Sequence, residues 1–196
     1  FNVYGGLFRY LNLVYVPQLS IEKVFATATT DAGGQVGEIK ISARLYNPAA
    51  LSDAEATVQL LDAEGRLVET QQQHIDVRGN QIDFAGFTVK QPRLWSPDQP
   101  RLYTVRVVQA TRADTCIHAE RIGFRRFELA RKGPFYLNGE RLLLRGTHRH
   151  EDHAGVAAAM TEELIWQEMR LIKEMGVNFI RLGHYQQSRI VLEACD

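Results

Sequence analysis

The chain holds 196 residues, 45% hydrophobic and 23% charged, an ordinary globular composition with room for one large domain or two small ones. Its 23 basic and 23 acidic residues cancel, so charge gives no reason to expect a nucleic acid or an anionic membrane as partner. No apolar run reaches bilayer length, no signal-peptide pattern opens the chain, and Cys116 and Cys195 lack metal-ligand spacing, which leaves the compartment unknown.

The opening FNVYGG lacks an initiator Met and reads as a piece of something longer. Residues 1–17 alternate apolar and polar residues up to Pro17, like the closing strand of a preceding domain. From Leu19 to about Arg125 the pattern is all β. Strands are expected over 20–28, 36–46, 56–61, 67–73, 82–89, 102–109 and 118–124. Turn signals at Asp31-Ala32-Gly33-Gly34, Asn47-Pro48, Ala63-Glu64-Gly65 and Arg78-Gly79-Asn80 separate them. Seven short strands in roughly a hundred residues point to an immunoglobulin-like β-sandwich, without the Cys…Trp…Cys spacing of antibody domains. The expected division is 1–17, 18–125 and 126–196.

After Phe127 the strands shorten, with turns at Lys132-Gly133-Pro134 and Asn138-Gly139. Leu142-Leu143-Leu144 reads as a strand buried on both faces, followed by the polar run Arg145 to His153. From Thr161 the period changes: Leu164, Ile165, Met169, Leu171, Ile172 and Met175 fall on one helical face, with Thr161 as N-cap and Gly176 just past the end. Residues 177–180 read as a second buried strand, ending in Arg181, His184 and Tyr185, and Ser188 can cap a further helix. This strand–helix–strand order, with polar clusters at both carboxyl ends, predicts an α/β region: the N-terminal part of a (β/α)8 TIM barrel, incomplete within this chain.

The densest cluster is His148-x-His150-x-x-His153. Alternate residues of a strand point the same way, so His148 and His150 can share one ligand. Paired imidazoles suit zinc, imidazole and guanidinium donors suit sugar hydroxyls, and a solvated polar loop is the bland alternative. Arg181 at an inward strand end needs a counterpart, and Glu151 or Asp152 is the expected one. Two strand ends with matching polar clusters favour function over coincidence.

At these residues the chain resembles glycoside hydrolase family 2, the family of β-galactosidases, β-glucuronidases and β-mannosidases. GVNFIRLGHYQQSRIVLEACD is similar to the family signature, and LLLRGTHRHEDH to its first barrel strand and loop. LWSPDQPRLYTVRV and IGFRRFEL are similar to its last sandwich strands, and GGLFR to the end of its sugar-binding jelly roll. The resemblance implies a parent enzyme that hydrolyses terminal β-glycosides with retention, a β-galactoside by preference. It implies a carbohydrate substrate, no cofactor, and an oligomer as a possible state of the whole enzyme. It also implies sugar-facing roles for Arg181, His184, Tyr185, His150, Arg149 and His148. The catalytic acid/base and nucleophile, both glutamates in the family, are expected beyond Asp196, so the chain alone should be inactive.

Two other readings stand beside it: a metal-dependent amidohydrolase using the HxH motif for zinc, and a non-catalytic sandwich binding module. No stoichiometric metal is expected, because Arg145 and Arg149 flank the imidazoles and oppose a dication. Gly183 is expected to bend the backbone so that His184 faces the barrel mouth.

Overall fold

The structure, a computed structural model, describes residues 5–196. It divides into two compact units, one of residues 14–141 and one that joins residues 142–196 with residues 5–13.

In the first unit seven strands form two antiparallel sheets. One contains β1 (Ser20–Thr30), β2 (Val36–Tyr46) and β5 (Gln81–Lys90), in the order β1-β2-β5. The other contains β3 (Asp53–Leu61), β4 (Leu67–Asp76), β6 (Tyr103–Ala110) and β7 (Thr115–Ile122), in the order β4-β3-β6-β7. All seven expected strands are present, with ends moved by a few residues. In an immunoglobulin constant domain the fourth strand joins the first sheet. Here β4 pairs with β3 instead, with Glu55 opposite His74, whose Nδ1 lies 2.8 Å from the Glu55 carboxylate.

Period-2 alternation is what makes these residues strands. Along β2, Ile39, Ile41, Ala43 and Leu45 turn inward, and along β6, Tyr103, Val105, Val107 and Gln109 do. Inward residues of both sheets form one core with Val24, Val58, Leu60, Phe84 and Phe87. Phe124 is fully buried there, its ring meeting Tyr103 edge-on at 5.0 Å between centroids. Gln109 is the exception, 1% exposed with no hydrogen-bond partner for its amide among the described residues.

A three-stranded meander follows: β8 (Phe127–Leu129), β9 (Phe135–Leu137) and β10 (Glu140–Arg141). Its second turn puts Asn138 and Gly139 at φ 53° and 85°, as an Asn-Gly hairpin requires. Asn138 Nδ2 donates to the Trp95 carbonyl at 3.0 Å and its Oδ1 accepts from Arg126 N, which ties the meander to the sandwich.

The second unit is a strand–helix–strand arrangement: β11 (Gly146–Arg149), α1 (Glu162–Glu174) and β12 (Phe179–Leu182), followed by α2 (Arg189–Cys195). β11 and β12 pair in parallel, His148 beside Arg181. Thr161 caps α1, accepting from Leu164 N, with Glu162 and Glu163 in the first turn; Gly176 follows at φ 78°. Ser188 caps α2, accepting from Ile190 N. A small core of Met160, Ile165, Met169 and Val191 holds the helices.

Three expectations are corrected. Leu142 to Leu144 do not form the first strand; they precede it, with Leu143 and Leu144 exposed, and the ladder begins at Gly146. The second strand likewise lies at Phe179–Leu182, two residues beyond 177–180. The cause is Asn178, whose Oδ1 accepts from Arg145 N at 2.8 Å and whose Nδ2 donates to the Leu143 carbonyl at 3.0 Å. A side chain thus occupies the backbone groups that a ladder would otherwise use. The third correction concerns residues 5–17, which are in no strand and pair with none among the described residues; the rest of that expected strand, residues 1–4, lies outside the described residues.

Candidate active site

The parallel pair sets the geometry. Strand alternation sends His148 and His150 to one side of β11, and the register places Arg181 beside His148. Arg181 Nη1 lies 3.0 Å from His148 Nε2. A guanidinium has no acceptor, so it donates and Nε2 must be unprotonated; the neutral ring then carries its proton on Nδ1. Burial pushes the His148 pKa below its usual value, and the neighbouring Arg181 charge lowers it further. His148 is therefore a neutral imidazole at neutral pH.

His184 completes the group. Its ring centroid is 5.5 Å from that of His150 and 6.1 Å from that of His148, while His148 and His150 are 4.9 Å apart. His184 sits at φ 47°, at the centre of a three-residue turn closed by Tyr185 N donating to the Gly183 carbonyl at 2.6 Å. A left-handed histidine is strained, by about 1–3 kcal/mol, and such strain collects at functional sites. The bend expected at Gly183 is thus at His184. The Tyr185 ring centroid lies 6.1 Å from that of His150, and its hydroxyl accepts from Glu151 N at 2.8 Å.

Arg149 does not join this group. Alternation turns it to the other side of β11, where it is 5% exposed. Its Nη1 donates to Gln187 Oε1 at 2.5 Å, and its Nη2 donates to Glu168 on α1 at 2.8 Å. Gln187 Nε2 donates back to the Arg149 carbonyl. Glu151 is buried on this side too, taking Arg9 Nη2 at 2.9 Å and Ser188 N at 2.6 Å. The expected Glu151 or Asp152 partner of Arg181 is therefore replaced by His148. A cavity of about 530 Å3 lies beside the buried network, lined by Phe8, Arg9, Glu151, Met160 and Gln187 among others, and none of the three imidazoles reaches it.

Glu168, Gln187 and Arg9 were not anticipated. Glu168 alone left a trace in the sequence, an acid lying between Ile165 and Met169 on the apolar face of α1. His153 stays outside the cluster, exposed, with Nδ1 on the Ala154 carbonyl.

Three imidazoles with ligand nitrogens all within 4.8 Å of one another are a possible divalent-metal set. The charges expected to oppose a cation sit elsewhere: Arg149 is paired with Glu168, and Arg145 Nε donates to the Gly176 carbonyl. The opposing charge is Arg181, in direct contact with one of the would-be ligands. Among the described residues no carboxylate lies within ion-pair distance of Arg181. The exposed mouth thus sets one cation, with no carboxylate partner among the described residues, beside three imidazoles, a set suited to hydroxyls and to an anionic group.

The family model "Glycosyl hydrolases family 2" matches residues 19–125, and "Glycosyl hydrolases family 2, TIM barrel domain" matches residues 128–196. The chain is similar to the crystal structure of Parabacteroides merdae β-glucuronidase, at 48% identity over all of this chain and 24% of that one, with TM-score 0.96. Bacteroides uniformis β-glucuronidase 2 covalently bound to cyclophellitol-6-carboxylate aziridine aligns at 29% identity and TM-score 0.84, covering 92% of this chain and 23% of that one. A β-galactosidase of Photobacterium profundum is 32% identical over 98% of this chain and 19% of its own length. The chain spans about a quarter or less of the length of these relatives. With both units matched from residue 19 to residue 196, the chain belongs to glycosyl hydrolases family 2.

Proposed function

We propose that the whole protein hydrolyses terminal β-glycosides with retention, and that this chain supplies sugar-facing donors but neither catalytic carboxylate. In a retaining mechanism one carboxylic acid protonates the leaving oxygen while a second carboxylate attacks the anomeric carbon. In this reading residues 142–196 are the first β/α units of an eight-stranded barrel, a view that the parallel β11–β12 pair joined through α1 supports. The observation that carries the assignment is the convergence of His148, His150, His184 and Arg181 on one side of two strand ends. As the ring flattens towards an oxocarbenium ion, donors from His184 and Arg181 strengthen, and such contacts raise kcat rather than only tightening binding. Arg149 braces the strand from behind and does not touch sugar.

For the sugar, a β-glucuronide is favoured over the β-galactoside that the sequence alone suggests. Arg181, with no carboxylate partner among the described residues, is suited to an acidic sugar. The 48% identical β-glucuronidase and the neighbour bound to a 6-carboxylate aziridine support the same choice. The 32% identical β-galactosidase keeps the galactoside as the second reading. The test is hydrolysis of p-nitrophenyl β-glucuronide and β-galactoside by the full-length protein. The glucuronide should have the higher kcat/KM, by about tenfold or more, the size of one charged contact in the transition state. A faster galactoside reverses the choice, and turnover by the 196-residue chain alone overturns the placement of the carboxylates outside it.

A further inference from the structure

Gly183 joins β12 to the His184 turn, and two facts about it do not fit an ordinary hinge. It is absent from the positions with left-handed φ, so no such backbone conformation calls for a glycine there. It is also buried against the site: a Cβ built there would lie 2.8 Å from His150 Cε1, 3.0 Å from His148 Nε2 and 3.1 Å from His150 Nδ1. Carbon contacts are favourable near 3.5–4.0 Å and steeply repulsive below, so one methyl group and these two rings cannot occupy the space together.

We propose that Gly183 is a positioning residue of the active site, kept without a side chain so that the imidazoles of His148 and His150 rest directly on the strand end. Its amide also donates to the Arg149 carbonyl at 2.8 Å, which fixes the backbone under the rings. The rings therefore have a floor of hydrogen-bonded backbone, and their 4.9 Å separation follows from lying side by side on it. Because His148 accepts from Arg181, a ring displaced at His148 also releases the guanidinium. One methyl group at residue 183 would thus disturb three of the four groups that converge on the site.

The nature of the clash decides where the damage falls. The atoms in the way are the far ends of side chains that can swing towards solvent, not backbone, so the substitution should move the rings and leave the fold in place. This separates Gly183 from a packing glycine, whose replacement lowers stability first.

The kinetic part rests on the glycosidase reading; the positional part does not. The test is Gly183→Ala in the full-length protein, with a crystal structure, a melting curve and kinetics on p-nitrophenyl β-glucuronide and β-galactoside. The expected result is imidazoles of His148 and His150 displaced by about 1 Å, an unchanged Tm, and kcat/KM lowered roughly a hundredfold, the loss that such a misplacement produces. His148→Asn removes one of the two rings, so adding Gly183→Ala to it should cost less than in the wild type, a non-additivity expected only of residues in contact. Rings that keep their positions in the Gly183→Ala crystal overturn the proposal. So does a large fall in Tm with kcat/KM intact, or full additivity with His148→Asn. A wild-type protein inactive on every glycoside would defeat the glycosidase reading, while the crystal structure would still decide the role of Gly183.

Discussion

The two units reach order by different means. The sandwich buries an unbroken set of side chains from both sheets, and nearly all its inward positions are apolar. Among the described residues the strand–helix–strand unit has four buried apolar residues, and Leu143, Leu144, Leu171, Met175, Phe179 and Leu192 are exposed, faces that the further β/α units of the proposed barrel would cover. Within this chain it also carries a set of directed polar contacts: Arg149 to Glu168 and Gln187, Glu151 to Arg9 and Ser188, Asn178 to two backbone groups. Apolar burial is roughly proportional to area and tolerant of detail, whereas hydrogen-bonded networks depend on geometry. The unit that must hold imidazoles in fixed places is the one built from geometry.

The sharpest way to break this contrast is a deletion in each interior. Phe124→Ala should cost about 3–5 kcal/mol, because its fully buried ring leaves a cavity beside Tyr103. Urea unfolding should show that loss, and a cost below about 1 kcal/mol would mean the sandwich can collapse around the gap. Arg149→Ala should cost about 3 kcal/mol, confined to the strand–helix–strand unit, because it leaves Glu168 and the Gln187 Oε1 without their guanidinium partner. Hydrogen exchange should then rise over α1 and α2 while β2 and β6 stay protected.

His184→Gly separates chemistry from stability within one residue. A glycine relieves the φ of 47°, so Tm should hold or rise, while kcat of the whole enzyme should fall by tens- to thousandfold for one lost transition-state donor. Unchanged kcat would return His184 to the scaffold. Gln109→Leu tests the sandwich from the other side: replacing a buried amide without partners among the described residues should raise stability by about 1 kcal/mol, read as a higher urea midpoint.

The smallest effect is in the pH profile. The His148 pKa is lowered from 6.5, so between that value and the folded one the unfolded chain binds more protons, and stability should rise with pH across this window. His74 runs oppositely. Its hydrogen bond to Glu55 raises the pKa, so its contribution is present at low pH and fades as pH climbs through the raised value. NMR titration of the two ring signals should place them on opposite sides of 6.5, and equal midpoints would contradict both assignments.

How much of this could be read from the chain follows the same division. The seven sandwich strands were legible because alternation is the physical cause of their burial, and Thr161, Gly176 and Ser188 marked helix ends because each satisfies a terminal backbone group. The strands at the site were displaced by a few residues. An apolar run such as Leu142 to Leu144 signals burial, but pairing begins where backbone groups meet, at Gly146. His148 and His150 were correctly paired by alternation, and the same rule should have removed Arg149 from the group. The Arg181–His148 contact was not legible, because nothing local in either segment indicates which residues the parallel register sets side by side.

Asn178 carries a consequence for how this region tolerates change in length. By gripping Leu143 and Arg145 across the chain it fixes which residue of β11 faces which residue of β12. A one-residue deletion between Arg145 and His148 would turn every following side chain over, sending Arg149 to the mouth and the imidazoles behind it. Added residues in 152–159, after the rings and before the Thr161 cap, would leave that alignment untouched. Variation in length should therefore accumulate in the second stretch and be purged from the first.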